Sequence, residues 1–204
     1  MQKPPASSRR PVIFGVITLL LALAIGAYAM LSTRQLPIGS GVALVGGPFT
    51  MVNQKGETVT DKNFLGKPML LFFGFTYCPD ICPTELQVMA AALDELGSAS
   101  DDIQPIFVTV DPERDTPEVM ANYVSNFGPR FIGLTGSPAQ IAEIAGQYRV
   151  FYAKQDNPKD PKNYLMDHSA IIYLMGPDGK FLKHFSYSTD AKALAAGLKQ
   201  ALGR

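Results

Sequence analysis

Hydrophobic positions recur along this chain in three rhythms, and each predicts a different kind of element. The first is a block: no charge interrupts Pro11 to Thr33, and residues 12–31 are apolar almost throughout. Twenty helical residues at ~1.5 Å each cross a hydrocarbon layer of about 30 Å, so a transmembrane anchor is predicted over 12–31. The second rhythm is the short apolar run, continuous at 69–75 and nearly so at 104–110. Such runs are expected of strands buried on both faces. The third is helical spacing. It appears at Leu86, Met89, Leu93 and Leu96, after Pro83 and before Gly97. It returns after Thr116-Pro117-Glu118 at Val119, Tyr123, Val124 and Phe127, and after Ser137-Pro138 at Ile141, Ile144, Ala145 and Tyr148. A last series begins near Asp190 with Leu194, Leu198 and Leu202. An N-cap hydroxyl followed by a first-turn proline marks two of these starts.

Polar turn clusters complete the order of elements. Asn53-Gln54-Lys55-Gly56-Glu57 separates strand-like segments at 48–52 and 58–60, and Gly176-Pro177-Asp178-Gly179 separates 169–175 from 180–185. Both are hairpin signals. The predicted order is hairpin, strand, helix, strand, helix, short strand, helix, hairpin, helix. That is an α/β, thioredoxin-like fold with an N-terminal β-hairpin, preceded by a single transmembrane helix. The predicted organisation is a cytoplasmic tail over 1–11, the anchor over 12–31, a linker over 32–46 and a globular domain over 47–204.

Composition and charge change this picture in one respect, the side of the membrane. Lys3, Arg9 and Arg10 precede the apolar block and only Arg34 closely follows it. This bias holds the N-terminus in the cytoplasm and sends the rest across. A cleaved signal peptide is the competing reading, since Ala27-Tyr28-Ala29 has small-x-small form, but the block is longer than a signal core. The block carries no cysteine, which excludes a lipoprotein anchor there, and no Arg- and Ser-rich amphipathic segment precedes it. The expected location is a bacterial inner membrane, single-pass, with the soluble domain in the periplasm. Formal net charge is +0, which points away from a nucleic-acid partner.

The candidate chemistry lies in Cys78-Pro79-Asp80-Ile81-Cys82-Pro83, which contains both cysteines of the chain. They follow the most apolar strand and precede a helix, where backbone N–H groups and the helix dipole stabilise a thiolate. A structural disulfide closing so small a loop constrains little of the unfolded chain. A redox pair and a metal-binding dithiolate fit the spacing equally well. His168 tips that balance toward metal. In thioredoxins a cis-proline packs against the cysteines at the loop before the hairpin; here that loop is Tyr164-Leu165-Met166-Asp167-His168, with a histidine and no proline. Two thiolates and an imidazole suit Cu(I), whereas zinc wants a fourth ligand. Asp167 precedes the histidine but is expected to face another way. His184 reads as a surface strand residue.

Three motifs carry a family resemblance: Phe75-Thr76-Tyr77-Cys78-Pro79-Asp80-Ile81-Cys82-Pro83-Thr84, Val110-Asp111-Pro112-Glu113-Arg114-Asp115-Thr116-Pro117-Glu118, and Asp167-His168-Ser169. With them the chain resembles the Sco/SenC family of copper proteins, which serve in assembly of the binuclear copper centre of cytochrome c oxidase. The resemblance covers roughly 47–203. It implies that Cys78, Cys82 and His168 ligate copper, as Cu(I) and in a second state Cu(II), and that both cysteines must be reduced. It further implies a copper donor protein and, as client, the copper-binding subunit of the oxidase. The Asp111–Asp115 stretch has a plain structural reading, ending a strand and leading into a capped helix. A second function is a membrane-tethered thiol–disulfide oxidoreductase, with Cys78 attacking and Cys82 resolving, that keeps the client's cysteines reduced. A peroxidase of the same fold fits less well, because Thr76-Tyr77-Cys78 lacks the peroxiredoxin spacing and its upstream proline.

Overall fold

The computed structural model describes residues 19–26, 28, 45–160 and 163–204. The chain divides into two compact units, Met1–Val42 and Ala43–Arg204. Of the anchor predicted over 12–31, residues 19–26 and Tyr28 are described, and they are helical. Among the described residues no helix is long and apolar enough to cross a membrane. The predicted tail over 1–11, the rest of the anchor and most of the linker lie outside the described residues.

The second unit is built on a seven-stranded sheet in the order β2-β1-β5-β4-β3-β8-β9. At its centre β3 (Met69–Gly74) is buried along its whole length and pairs in parallel with β4 (Gln104–Thr109). The continuous apolar runs therefore occupy the middle of the sheet, as two-sided burial requires. β4 pairs in parallel with β5 (Ile132–Thr135). The N-terminal hairpin β1–β2 (Thr50–Asn53, Thr58–Thr60) adds antiparallel to β5. The C-terminal hairpin β8–β9 (Ile171–Met175, Phe181–Ser186) adds antiparallel to β3. This is the predicted order of elements.

Four α-helices flank the sheet: α1 (Ile81–Leu96), α2 (Pro117–Val124), α3 (Pro138–Gln147) and α4 (Ala191–Leu202). Three begin on a side-chain cap, with Thr116 accepting from Val119 N, Ser137 from Gln140 N and Asp190 from Ala193 N. α4 comes so close to β9 that a Cβ at Gly197 would run into the Phe185 ring, so any larger residue here would push that ring aside.

Two predicted boundaries are corrected. α1 begins at Ile81 rather than Pro83, because a proline in the first turn removes an N–H that has no helical partner anyway. The segment read as a loop before the last hairpin is instead strand β7 (Leu165–His168), paired antiparallel with β6 (Tyr152–Gln155) in a separate two-stranded sheet. Neither strand has the apolar run or clean alternation that announces a buried strand. Both are half-exposed, and their pairing partner lies ten residues away.

Candidate metal centre

β3 and α1 deliver the two cysteines to one place. Phe75, at the end of β3, starts a tight turn in which Cys78 N donates to Phe75 O at 3.2 Å. α1 then starts at once, with Cys82 in its first turn. The first N–H groups of a helix lack helical partners, and here Cys82 N donates to Cys78 Sγ at 3.4 Å. Cys78 thus serves as a sulfur cap at the positive end of the helix dipole. Cys82 is fully buried and Cys78 half-exposed, and neither forms a disulfide.

The packing behind Cys82 depends on glycine. A Cβ at Gly74 would lie 2.6 Å from Cys82 Sγ and 3.0 Å from a Phe107 ring carbon. Glycine inside a buried strand commonly marks such a close approach.

β7 brings the imidazole across. His168 pairs with Tyr152 in the β6–β7 ladder, and Ser169 N donates to Phe151 O at 2.9 Å just beyond it. The rings of Phe72 and Phe75 meet His168 edge-on, with centroids at 6.0 and 5.9 Å. His168 Nδ1 lies 3.3 Å from Ser169 O, which turns Nε2 toward the sulfurs. That Nε2 lies 3.3 Å from Cys82 Sγ. One ligand atom from each of Cys78, Cys82 and His168 falls within 4.8 Å of the other two; among the described residues they form the one such group. Asp167 turns away to accept from Gln155 Nε2. His184 is exposed on β9, stacked on Phe181, and takes no part.

The two thiols are strongly unequal. Hydrogen bonds from Cys82, His168 and the start of the helix lower Cys78 from 9.0 to about 4, against the opposing effect of burial. The bond to Cys78 and burial push Cys82 far above the ordinary thiol range. The pair therefore holds a single proton at neutral pH, with its negative charge on the more exposed sulfur. Two soft sulfurs and one imidazole in a three-sided arrangement can hold a soft monovalent cation of low coordination number.

Residues that the sequence pattern left as plain structure brace this site. Asp115 is fully buried and accepts from Thr76 N at 3.1 Å, Thr76 Oγ1 at 2.5 Å and Thr109 Oγ1 at 2.5 Å. It ties the cysteine turn to the end of β4. Burial keeps its carboxyl above the usual range. Asp111 accepts from Arg114 Nε at 2.5 Å and from Tyr164 Oη at 2.7 Å. The signal for these roles was the cluster of charges at the end of a buried strand, whose direction only the fold reveals.

A groove of about 580 Å³ opens over the site, between Cys78–Ile81 on one side and Phe151 and residues 165–169 on the other. Phe151 stands exposed in its wall, at 64%.

Comparison with known proteins agrees with this geometry. The family model for SCO1/SenC matches residues 39–203. The mitochondrial SCO1 homolog of Homo sapiens is 40% identical over 97% of this chain and 71% of its own length. The crystal structure of Arabidopsis thaliana ScoI with copper bound superimposes with a TM-score of 0.74 at 44% identity, covering 78% of this chain and 98% of that one. BsSco, described as a member of the Sco family of cytochrome c oxidase assembly proteins with a disulfide switch, gives 0.60 at 29% identity over 78% and 93%. With the matched span taking in the cysteine turn, the acidic brace and the histidine strand alike, this chain belongs to the SCO1/SenC family.

Proposed function

We propose that this protein is a copper metallochaperone that carries copper on Cys78, Cys82 and His168. On this reading it passes copper from a donor protein to the copper-binding subunit of cytochrome c oxidase. The observation that carries the reading is the convergence of two sulfurs and an imidazole nitrogen within 4.8 Å. The copper-bound relative at 44% identity supports the choice of metal. An open groove over the ligands suits transfer, because an incoming donor atom can reach the metal before the outgoing one leaves. The apolar block over 12–31, with Leu19, Leu20, Leu21, Leu23 and Ile25 all exposed on the described part, supports an uncleaved inner-membrane anchor and a periplasmic site.

Copper stoichiometry, affinity and absorption spectrum of the reduced protein, wild type beside His168→Ala, test the ligand set. One copper per chain and a clear loss of affinity in the variant are expected. Unchanged affinity and coordination would show the ligand set to be wrong.

A second reading is favoured by the unequal thiols. Half-exposed Cys78, an anion at neutral pH, is placed to attack a client disulfide, and buried Cys82 to resolve the mixed disulfide. The client's two cysteines would leave reduced, and Cys78–Cys82 would leave as the disulfide. Copper and a disulfide exclude each other on the same sulfurs. Restoration of oxidase assembly by His168→Ala, but not by either cysteine variant, would favour this role over copper carriage.

A further inference from the structure

The strand that carries His168 shares no backbone ladder with the main sheet, since β6 and β7 pair only with each other. Something else must fix the distance from that imidazole to the sulfurs. Besides the rings of Phe72 and Phe75, which meet His168 itself, the Arg114 side chain touches both the hairpin and the cysteine turn. The Arg114 guanidinium lies 3.6 Å from the ring centroid of Tyr164, which immediately precedes β7, and 4.6 Å from that of Tyr77, which precedes Cys78. Phe75, at 5.9 Å, completes the set of rings on the cysteine side. Arg114 Nη1 also donates to Tyr164 O at 2.9 Å, while Nε holds Asp111. The far oxygen of Asp111 accepts from Tyr164 Oη, closing a ring of contacts. Arg114 Nη2 is buried without a partner, so this placement is stabilised by stacking and by the other donors.

We propose that Arg114 is a positioning residue of the metal centre. By stacking between Tyr77 and Tyr164 it holds the β6–β7 hairpin against the cysteine turn and so sets the reach of His168. The inference rests on the copper-ligand reading above. Only a planar cation with forked donors can do this: it must offer flat faces to two rings and, in its own plane, bond a carboxylate and a carbonyl at once. A lysine supplies the charge but neither the plane nor the fork.

The test compares the reduced full chain with Arg114→Met, Arg114→Lys, His168→Ala and the double variant Arg114→Met/His168→Ala. Amide hydrogen exchange reads the hairpin without metal. Arg114→Met should lower protection of β7 at least tenfold relative to wild type while β3 stays protected. Cu(I) affinity, from competition with a chromophoric chelator, should fall about tenfold in Arg114→Met, as for supporting groups around other metal ligands. In the double variant it should be no weaker than in His168→Ala alone. Arg114→Lys should show the same pattern, and it carries the test if the methionine variant does not fold. Unchanged exchange of β7 would overturn the proposal, as would losses that multiply in the double variant. A His168→Ala variant with undiminished copper affinity would instead sink the ligand reading, and the exchange result would still decide the role of Arg114.

Discussion

Adding one methyl group at Gly74 should damage the metal centre from behind. An alanine Cβ there would stand 2.6 Å from Cys82 Sγ, 3.0 Å from Phe107 and 3.3 Å from Phe72. Comfortable contacts between such atoms begin near 3.5 Å, so the sulfur must retreat by about 1 Å. All three neighbours lie in the core, where there is little room to swing aside. Overpacking of this kind costs about 1–3 kcal/mol of stability. A displacement of ~1 Å is also several times the ~0.2 Å within which metal–ligand distances normally fall. Gly74→Ala should therefore weaken Cu(I) binding about 10- to 100-fold, a loss typical of disturbing the groups that support a ligand. Urea unfolding of the reduced protein and chelator competition measure the two effects. The clash is tested by repeating the substitution in a Cys82→Ala background. With the sulfur gone, Gly74→Ala should cost at least about 0.5 kcal/mol less. An equal cost in both backgrounds, or unaltered copper affinity in Gly74→Ala, would refute the reasoning.

Two further outcomes follow from the site's electrostatics and its brace. Between about pH 7.5 and 8.5 the reduced, metal-free protein should become more stable as pH rises. The unfolded thiols titrate near 9 and hold more than one proton between them below it, whereas the folded pair holds one, since Cys78 is lowered to about 4 and Cys82 is raised. The slope is at most about 1.4 kcal/mol per pH unit, and it reverses above about 9, where the unfolded chain loses both protons. Glu85, pushed up to about 7 by burial, is already ionised across this window. Urea melts at several pH values measure the slope; a flat profile from 7.5 to 8.5, or one unchanged in Cys78→Ser/Cys82→Ser, would contradict the unequal thiols. Asp115→Ala should cost about 2–4 kcal/mol, because it strands Thr76 N and two hydroxyls in a buried site. It should also loosen the cysteine turn, seen as faster hydrogen exchange at Thr76. Unchanged exchange there would show that the carboxylate does not brace the turn.

Much of this protein was legible before any coordinates. Patterning alone placed the central strands, because two-sided burial fills β3 and most of β4 with apolar residues. Hydroxyl–proline pairs located α2 and α3, since caps act within four residues of chain. The cysteine spacing and the histidine before the last hairpin pointed to the three residues that the fold brings together. Local signals could not show β6 and β7, half-exposed strands stabilised by each other and by a clamp from elsewhere. Nor could they show why Gly74 is glycine, which depends on a sulfur eight residues later, or why Asp111, Arg114 and Asp115 point back toward the cysteine turn. Residue types and short-range spacing therefore determined which candidate donor atoms the chain offers and what they prefer. The reach of His168 and the bracing of the cysteine turn were decided only by tertiary contacts between distant segments, as in the Cys82–His168 and Thr76–Asp115 pairs, 86 and 39 residues apart. Contacts across such separations leave no periodic trace in a single sequence, because they depend on how whole elements pack.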